Sequence, residues 1–155
     1  MSKSTFVYVT FIRTTPERLW SALTTPEFIR QYWLGVNSES DWRPGSPWKL
    51  VYPDGRIADT GEILEAEPPK RLAIKWLNEW NPEFKAEGYS VCTFAIEPVP
   101  SIAGQAVKLT VTHAMERPES KLIQAVSGGW PQILSNLKSL LETGEVVLSP
   151  NKAAG

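Results

Sequence analysis

The single histidine of the chain, His113, is the residue whose type most directly suggests chemistry. It ends an alternating segment in which Val107, Leu109, Val111 and His113 share one face of a predicted strand. Imidazole is the side chain whose unperturbed pKa lies near neutrality, so His113 could orient a ligand or transfer a proton as an acid or base. The other interpretation is a core histidine that is hydrogen-bonded to a backbone group or a hydroxyl. The pattern leaves both open.

Cys92 is the only cysteine, which excludes an internal disulfide and a cysteine-rich zinc site. It shares a strand face with Phe94 and Ile96, which indicates a small buried hydrophobic residue. A nucleophilic role for Cys92 would need His113 close by. Because the chain has one cysteine and one histidine, a metal site would depend on acids at suitable spacings, and we find none. We expect neither a metal nor another cofactor.

Three acids, Asp59, Glu62 and Glu79, lie in or beside predicted strands. Two carboxyl groups held close together can act as an acid and base pair. The spacing of these three is, however, also what the solvated edge of a strand offers. We expect all three side chains to face solvent.

Tryptophan is unusually frequent, with seven copies in 155 residues, at positions 20, 33, 42, 48, 76, 80 and 130. An indole is large, and its N–H needs a partner when the ring is buried. The rings therefore indicate either a heavily aromatic core or a cavity whose wall they form.

Composition and charge narrow the classes of partner. The net charge is −1 and no run of lysines and arginines occurs, so nucleic acids and anionic membranes are not expected partners. No stretch approaches the roughly 20 apolar residues that span a bilayer. Residues 1–4 precede the first strand without the apolar region of a secretory signal, and we expect a cytoplasmic protein.

The elements that must position these residues begin with a strand over residues 5–13, which are mostly β-branched or aromatic. The tetrapeptide Thr-Thr-Pro-Glu then occurs at 14–17 and again at 24–27. Each copy offers a threonine cap, a proline for the first helical position and an acid for the first turn. Two short helices are predicted, with an elbow at Pro26 because proline cannot continue the preceding helix.

Residues 36–114 are predicted to form consecutive strands. Residues 53–56, Pro-Asp-Gly-Arg, suit a hairpin turn, and Leu72, Ile74 and Trp76 share one strand face. The segment 78–88 is long for a hairpin connection and is a candidate lid.

The last element is predicted to be a helix over 119–143, because eight apolar residues keep one helical phase. They are Leu122, Val126, Trp130, Ile133, Leu134, Leu137, Leu140 and Leu141. Gly128, Gly129 and Pro131 predict a kink inside this helix. We expect one domain over 1–144 and a frayed tail over 145–155.

Four segments together resemble the activator-of-heat-shock-protein-90-ATPase homologue family. They are residues 15–24 (Thr-Pro-Glu-Arg-Leu-Trp-Ser-Ala-Leu-Thr), residues 61–72 with Trp76, residues 109–113 (Leu-Thr-Val-Thr-His), and Gly129-Trp130 followed by Ile133, Leu134 and Leu137. The resemblance covers nearly the whole chain. It implies the α+β helix-grip fold of the START-like, or Bet v 1-like, SRPBCC group. In that fold a curved antiparallel sheet of six to seven strands wraps around a long C-terminal helix, and two short helices follow the first strand.

The resemblance also implies an apolar pocket between sheet and helix. The residues expected to bind a ligand there are Trp33, Trp48, Tyr52, Trp76, Trp80, Phe94, Leu109, Val111, His113, Trp130, Leu134 and Leu137. Many relatives carry a histidine shortly before the Gly-Trp pair, where this chain has Ala-Val-Ser-Gly at 125–128, so chemistry assigned to that histidine does not transfer. The co-chaperone that named the family has a further N-terminal domain, for which we expect no room in 155 residues.

Three functions follow from these observations. The first is binding of a small hydrophobic or aromatic molecule by a monomer or homodimer. The second is an enzyme of the cyclase, dehydratase or hydrolase type with His113 as acid or base. The third is an interaction module associated with a chaperone and the stress response, which predicts a large exposed apolar patch.

Overall fold

A computed structural model describes residues 3–100 and 105–149. The strands are β1 (Ser4–Ile12), β2 (Asn37–Ser40), β3 (Pro47–Val51), β4 (Ile57–Glu67), β5 (Arg71–Asn78), β6 (Ser90–Val99) and β7 (Ala106–Met115). The helices are α1 (Pro16–Thr24), α2 (Pro26–Tyr32), α3 (Pro82–Glu87) and α4 (Lys121–Thr143). The order of elements is the predicted one, with α3 added inside the segment 78–88.

The strands form one curved antiparallel sheet of seven strands in the order β1-β7-β6-β5-β4-β3-β2. From β2 to β7, each strand pairs with the next strand in the chain. β1 pairs with β7, so β1 and β2 form the two edges of the sheet. The helices cover one face of the sheet. This confirms the predicted helix-grip fold of the α+β class.

The helical elbow forms where the repeated tetrapeptide predicts it. The Thr15 side chain accepts a hydrogen bond from the Arg18 amide, and Pro16 and Pro26 stand at the starts of their helices. Thr25 makes no side-chain cap, so the second threonine differs from the first in this respect. The Tyr32 hydroxyl donates to the Ala22 carbonyl oxygen over 2.9 Å, which holds the two helices together.

Helix α4 runs along the concave face and stays helical through Gly128, Gly129 and Pro131. The Ser120 hydroxyl caps its start by accepting from the Ile123 amide. Its buried side is Leu122, Ile123, Trp130, Leu134, Asn136, Leu137, Leu140 and Leu141. None of the helices in the described ranges is long and apolar enough to cross a membrane.

Residues 147 and 148, just after α4, are hydrogen-bonded to the helix. The Asn136 side chain accepts from the amides of Val147 and Leu148 over 3.0 and 2.7 Å and donates to the Leu148 carbonyl oxygen. Because Asn136 is itself fully buried, these bonds hold residues 147–148 against the helix. The rest of the predicted tail, 150–155, lies outside the described residues.

Candidate functional site

A bulge in β4 lies next to a buried acid. Leu50 pairs with Asp59 and Val51 pairs with Ile57, so Ala58 is an extra residue in β4. A bulge changes which side chains face inward. Ala58 and Asp59 are both buried, with 3% and 7% of their surface exposed. The expectation that Asp59 faces solvent was wrong, because Asp59 lies on the inward face that it shares with Gly61 and the fully buried Ile63, and the bulge adds Ala58 to the buried side.

A cavity of about 240 Å³ lies between the sheet, α3 and the first half of α4. Its lining consists of Trp33, Val36, Leu50, Tyr52, Ala58, Asp59, Trp76, Asn78, Trp80, Phe84, Leu122, Ala125, Val126, Gly129, Trp130 and Ile133. Most of these side chains are aromatic or aliphatic. The polar groups are the Asp59 carboxyl, the Asn78 amide and the Tyr52 hydroxyl, which is the composition expected of a small-molecule site.

Three indoles form one side of the cavity. The ring centroids of Trp33 and Trp130 are 5.3 Å apart, and those of Trp76 and Trp130 are 5.9 Å apart, with planes inclined at 67° and 72°. Trp33 and Trp76 lie closer to parallel, at 29°. Edge-to-face contacts of this kind are favourable for aromatic pairs and hold each ring in place.

Gly61 allows the innermost indoles to meet. It pairs with Trp48 on β3 and with Trp76 on β5, and the Trp48 and Trp76 ring centroids are 4.5 Å apart. A Cβ atom at position 61 would collide with the Lys75 carbonyl oxygen. A glycine is therefore required where the β4 backbone comes this close to β5.

Asp59 is the ionisable group in the lining that burial affects most. Burial raises its pKa from 3.8 to about 7, against the lowering effect of the neighbouring Trp76 and Asn78 side chains. The Asn78 amide donates to Asp59 Oδ1 over 3.3 Å. Within residues 3–100 and 105–149, no lysine, arginine or histidine forms an ion pair with this carboxyl group.

His113 lies beneath the cavity wall rather than in it. Its side chain is fully buried, Nδ1 accepts from Trp130 Nε1 over 3.1 Å, and Nε2 is 2.8 Å from the Ser90 hydroxyl. Burial lowers the pKa of His113 to about 3. The interpretation as a core histidine bonded to a hydroxyl is confirmed. Because both ring nitrogens are engaged and neither reaches the cavity, the geometry gives His113 no contact with a ligand.

The family is shown by the comparison with family models. The model described as Activator of Hsp90 ATPase homolog 1-like protein matches residues 13–142. The chain belongs to this family. No curated protein matches its sequence.

The chain is similar to several solved structures. Protein MLL2253 from Mesorhizobium loti is 29% identical with a TM-score of 0.72, covering 89% of this chain and 96% of that one. The Aha1 dimer from Colwellia psychrerythraea is 19% identical with a TM-score of 0.71, covering 91% and 98%. PFC0360w, an HSP90 activator from Plasmodium falciparum, is 24% identical with a TM-score of 0.65, covering 88% and 95%. The last two likenesses support the fold.

Cys92 on β6 pairs directly with His113 on β7. Both side chains are fully buried, and burial raises the pKa of the thiol well above its ordinary value. The His113 nitrogens are already bonded to Ser90 and Trp130, so no base faces the sulfur. Cys92 is a small core residue, as its strand face predicts.

The segment 78–88 closes one side of the cavity with α3 and the two aromatic side chains Trp80 and Phe84. Asn81 caps the start of α3. At its end, the Glu87 carboxylate accepts from the Ser120 hydroxyl over 2.6 Å and from the Lys121 amide over 2.8 Å. These bonds attach α3 to the start of α4. The segment 78–88 therefore lies along one side of the cavity, which is the position that a lid would occupy.

The predicted ligand-binding residues divide into two groups. Those that line the cavity are Trp33, Tyr52, Trp76, Trp80 and Trp130. Those that lie outside it, in the packed interior, are Trp48, Phe94, Leu109, Val111, His113, Leu134 and Leu137. The sequence indicates correctly that the second group faces inward, but these side chains belong to the packed core, where Trp48 and Phe94 border a void of only about 10 Å³.

The lining residues that sequence reasoning missed are Val36, Leu50, Ala58, Asp59, Asn78, Phe84, Leu122, Ala125, Val126, Gly129 and Ile133. Asn78 had a usable signal, since it follows Ile74 and Trp76 on the same face of β5. Asp59 also had a signal, since it shares the strand face of Gly61 and the buried Ile63, but its charge favoured the interpretation as a solvent-facing acid.

Proposed function

We propose that the protein binds a small apolar or aromatic molecule in the cavity described above, and that it does so in the cytoplasm. The observation that carries the proposal is the indole wall, since Trp33, Trp76 and Trp130 surround open space instead of filling it. Well-packed interiors leave few voids larger than a water molecule. A gap of about 240 Å³ next to three tryptophans is therefore best explained by a guest.

The dimensions limit the ligand. Drug-sized pockets have volumes of roughly 300–1,000 Å³, and this cavity is slightly smaller, at about 240 Å³. A molecule with one or two rings matches it better than a long lipid does. The polar side chains of Asp59, Asn78 and Tyr52 would orient that molecule by hydrogen bonds.

Binding can be tested with the neutral fluorescent dye N-phenyl-1-naphthylamine and by native mass spectrometry of the purified protein. Ala125 lies in the lining on an exposed part of α4, so Ala125→Trp should fill the cavity without disturbing the core. Gln124→Trp places the same ring one residue away, at an exposed position outside the lining, and serves as the matched control. We expect the dye to bind the wild type and the control and to lose at least tenfold in affinity in Ala125→Trp. Absence of binding to the wild type, or equal binding by all three proteins, would refute the proposal.

A catalytic role for His113 receives no support from this geometry. An acid or base must come within hydrogen-bond reach of the reacting group. His113 is fully buried behind Trp130, and its pKa of about 3 keeps it neutral at physiological pH.

Protein association is a second candidate, favoured by the outer face of β1. Val7, Val9 and Phe11 are about half exposed there, at 54%, 45% and 52%, and form a continuous apolar row. Rows of this kind often mark contact surfaces. We also propose a second copy of the chain as the partner, and the similar structure from Colwellia psychrerythraea is a dimer. Light scattering across a concentration series should show a dimer that Val9→Lys dissociates, whereas a chaperone partner would leave the wild type monomeric.

A further inference from the structure

We propose that the ligand is a small organic cation, an amine or a quaternary ammonium attached to an apolar or aromatic body. This inference rests on the proposed function and names the chemical class of its ligand. It is carried by the combination of indole rings with a buried carboxyl group that has no cationic partner.

The charge of the lining favours a cation. Among the residues that line the cavity, Asp59 is an acid and none is basic. The nearby basic groups are engaged elsewhere, because Lys85 pairs with Glu79 over 2.8 Å and the Arg56 guanidinium lies over the Tyr52 ring and pairs with Asp54. A buried carboxylate is costly unless it is paired. A cationic ligand would supply the missing partner.

The aromatic wall favours the same class. Tryptophan faces attract cations more strongly than other aromatic side chains do, and cages of aromatic rings are the usual receptors for quaternary ammonium groups. The plane of the Trp130 ring is inclined at 67° to that of Trp33 and at 72° to that of Trp76. The three rings therefore form a corner rather than a flat stack. Asp59 lies in the same lining as this corner. A cation bound at this corner would contact the indole rings and would pair with the Asp59 carboxylate.

Proton exchange at Asp59 gives this inference a distinctive signature. Its pKa of about 7 means that the empty site holds a proton on about half of the molecules at neutral pH, and a bound cation would displace that proton. The other ionisable groups facing Asp59 do not titrate between pH 6 and 8. Glu79 is ionised, since the hydrogen bond from Lys85 lowers its pKa, and Tyr52 is neutral, since burial raises its pKa. The part of α4 that lines the cavity carries no ionisable side chain.

The test uses two probes of nearly equal shape that differ in charge and do not titrate between pH 6 and 8, (4-(hydroxymethyl)phenyl)trimethylammonium and 4-tert-butylbenzyl alcohol. Calorimetric titrations at pH 8 and pH 6 would compare the wild type with Asp59→Asn. Glu62→Gln serves as the control, because Glu62 is an acid of the same strand outside the cavity lining.

At pH 8 the wild type and Glu62→Gln should bind the cation at least tenfold more tightly than the neutral probe. Affinity for the cation should fall about tenfold between pH 8 and pH 6, as one proton competes for the carboxylate, while affinity for the neutral probe stays nearly constant. Asp59→Asn should abolish both the preference for the cation over the neutral probe and the pH dependence of the affinity for the cation. If the neutral probe binds as well as the cation, the inference fails and the proposed function stands. If neither probe nor the dye binds, both fail.

Discussion

The indole nitrogen of Trp130 donates a hydrogen bond to Nδ1 of His113 over 3.1 Å, and this bond joins α4 to β7. Because an indole N–H can only donate, Nδ1 must be unprotonated, and the neutral imidazole carries its proton on Nε2. Nε2 therefore donates to the Ser90 hydroxyl, which in turn donates to the Trp76 carbonyl oxygen. The chain of bonds fixes Trp130 as a wall of the cavity, so His113 acts on the site through the position of that ring.

Protonation of His113 should destabilise the fold. Its pKa is lowered from 6.5 to about 3 in the folded state, so the unfolded state binds more protons between these values and stability falls as the pH drops through that window. Asp59 titrates with the opposite effect over part of the same range, so the test is made in an Asp59→Asn background. In that background, His113→Gln should reduce the dependence of the free energy of unfolding on pH by about 1.4 kcal/mol per pH unit between pH 4 and 6. Urea denaturation at several pH values measures this slope. An unchanged slope would show that His113 does not titrate as described.

Ionisation of Asp59 should cost stability at high pH. Its pKa is raised to about 7, so the folded state binds more protons than the unfolded state between about pH 4 and 7, and the free energy of unfolding falls as pH rises through that window. Asp59→Asn removes this loss of stability, which above pH 7 is on the order of 4 kcal/mol in the free energy of unfolding. The variant should therefore be more stable than the wild type at pH 8.5, with an advantage that vanishes near pH 4. Chemical denaturation of both proteins across this range checks the sign, and a variant less stable at pH 8.5 would contradict it.

Two glycines should respond oppositely to alanine. Gly61→Ala forces a Cβ atom onto the Lys75 carbonyl oxygen and should cost at least about 3 kcal/mol, as strain and overpacking together do. Gly128→Ala adds a Cβ with no atom within 4 Å inside α4 and should stabilise the protein by about 0.5–1 kcal/mol. Thermal unfolding of the two variants makes the comparison. Similar effects from both would show that the close approach at Gly61 does not exist.

Loss of the Glu87 carboxylate should release α3. Burial raises the pKa of Glu87, but the hydrogen bonds from Ser120 and the α4 amides outweigh this and lower it overall. Glu87→Gln should therefore cost about 1 kcal/mol, as the loss of a helix cap does. Hydrogen exchange should become faster in residues 79–88 and remain unchanged in β7. Glu83→Gln, which breaks only an exposed ion pair with Lys121, is the control and should change little.

The helices and strands could be predicted because their signals lie in neighbouring residues. The Thr-Thr-Pro-Glu repeat marks both short helices, and α4 begins at Lys121, two residues from the predicted start. Alternation places Leu109, Val111 and His113 on the buried face of β7, and all three are fully buried. The family resemblance is confirmed by the match over residues 13–142.

By itself the sequence determined the order of elements, the inward faces and the fold class, since local periodicity and capping depend only on residues close together in the chain. The tertiary structure alone decided which inward residues meet open space. Leu134 and Leu137 are enclosed by the core, whereas Val126 and Ile133 of the same helix border the cavity, because enclosure depends on which distant elements pack around each side chain. It also decided that the Asp59 carboxyl borders this cavity beside Asn78, because the two residues are neighbours only through the pairing of β4 with β5.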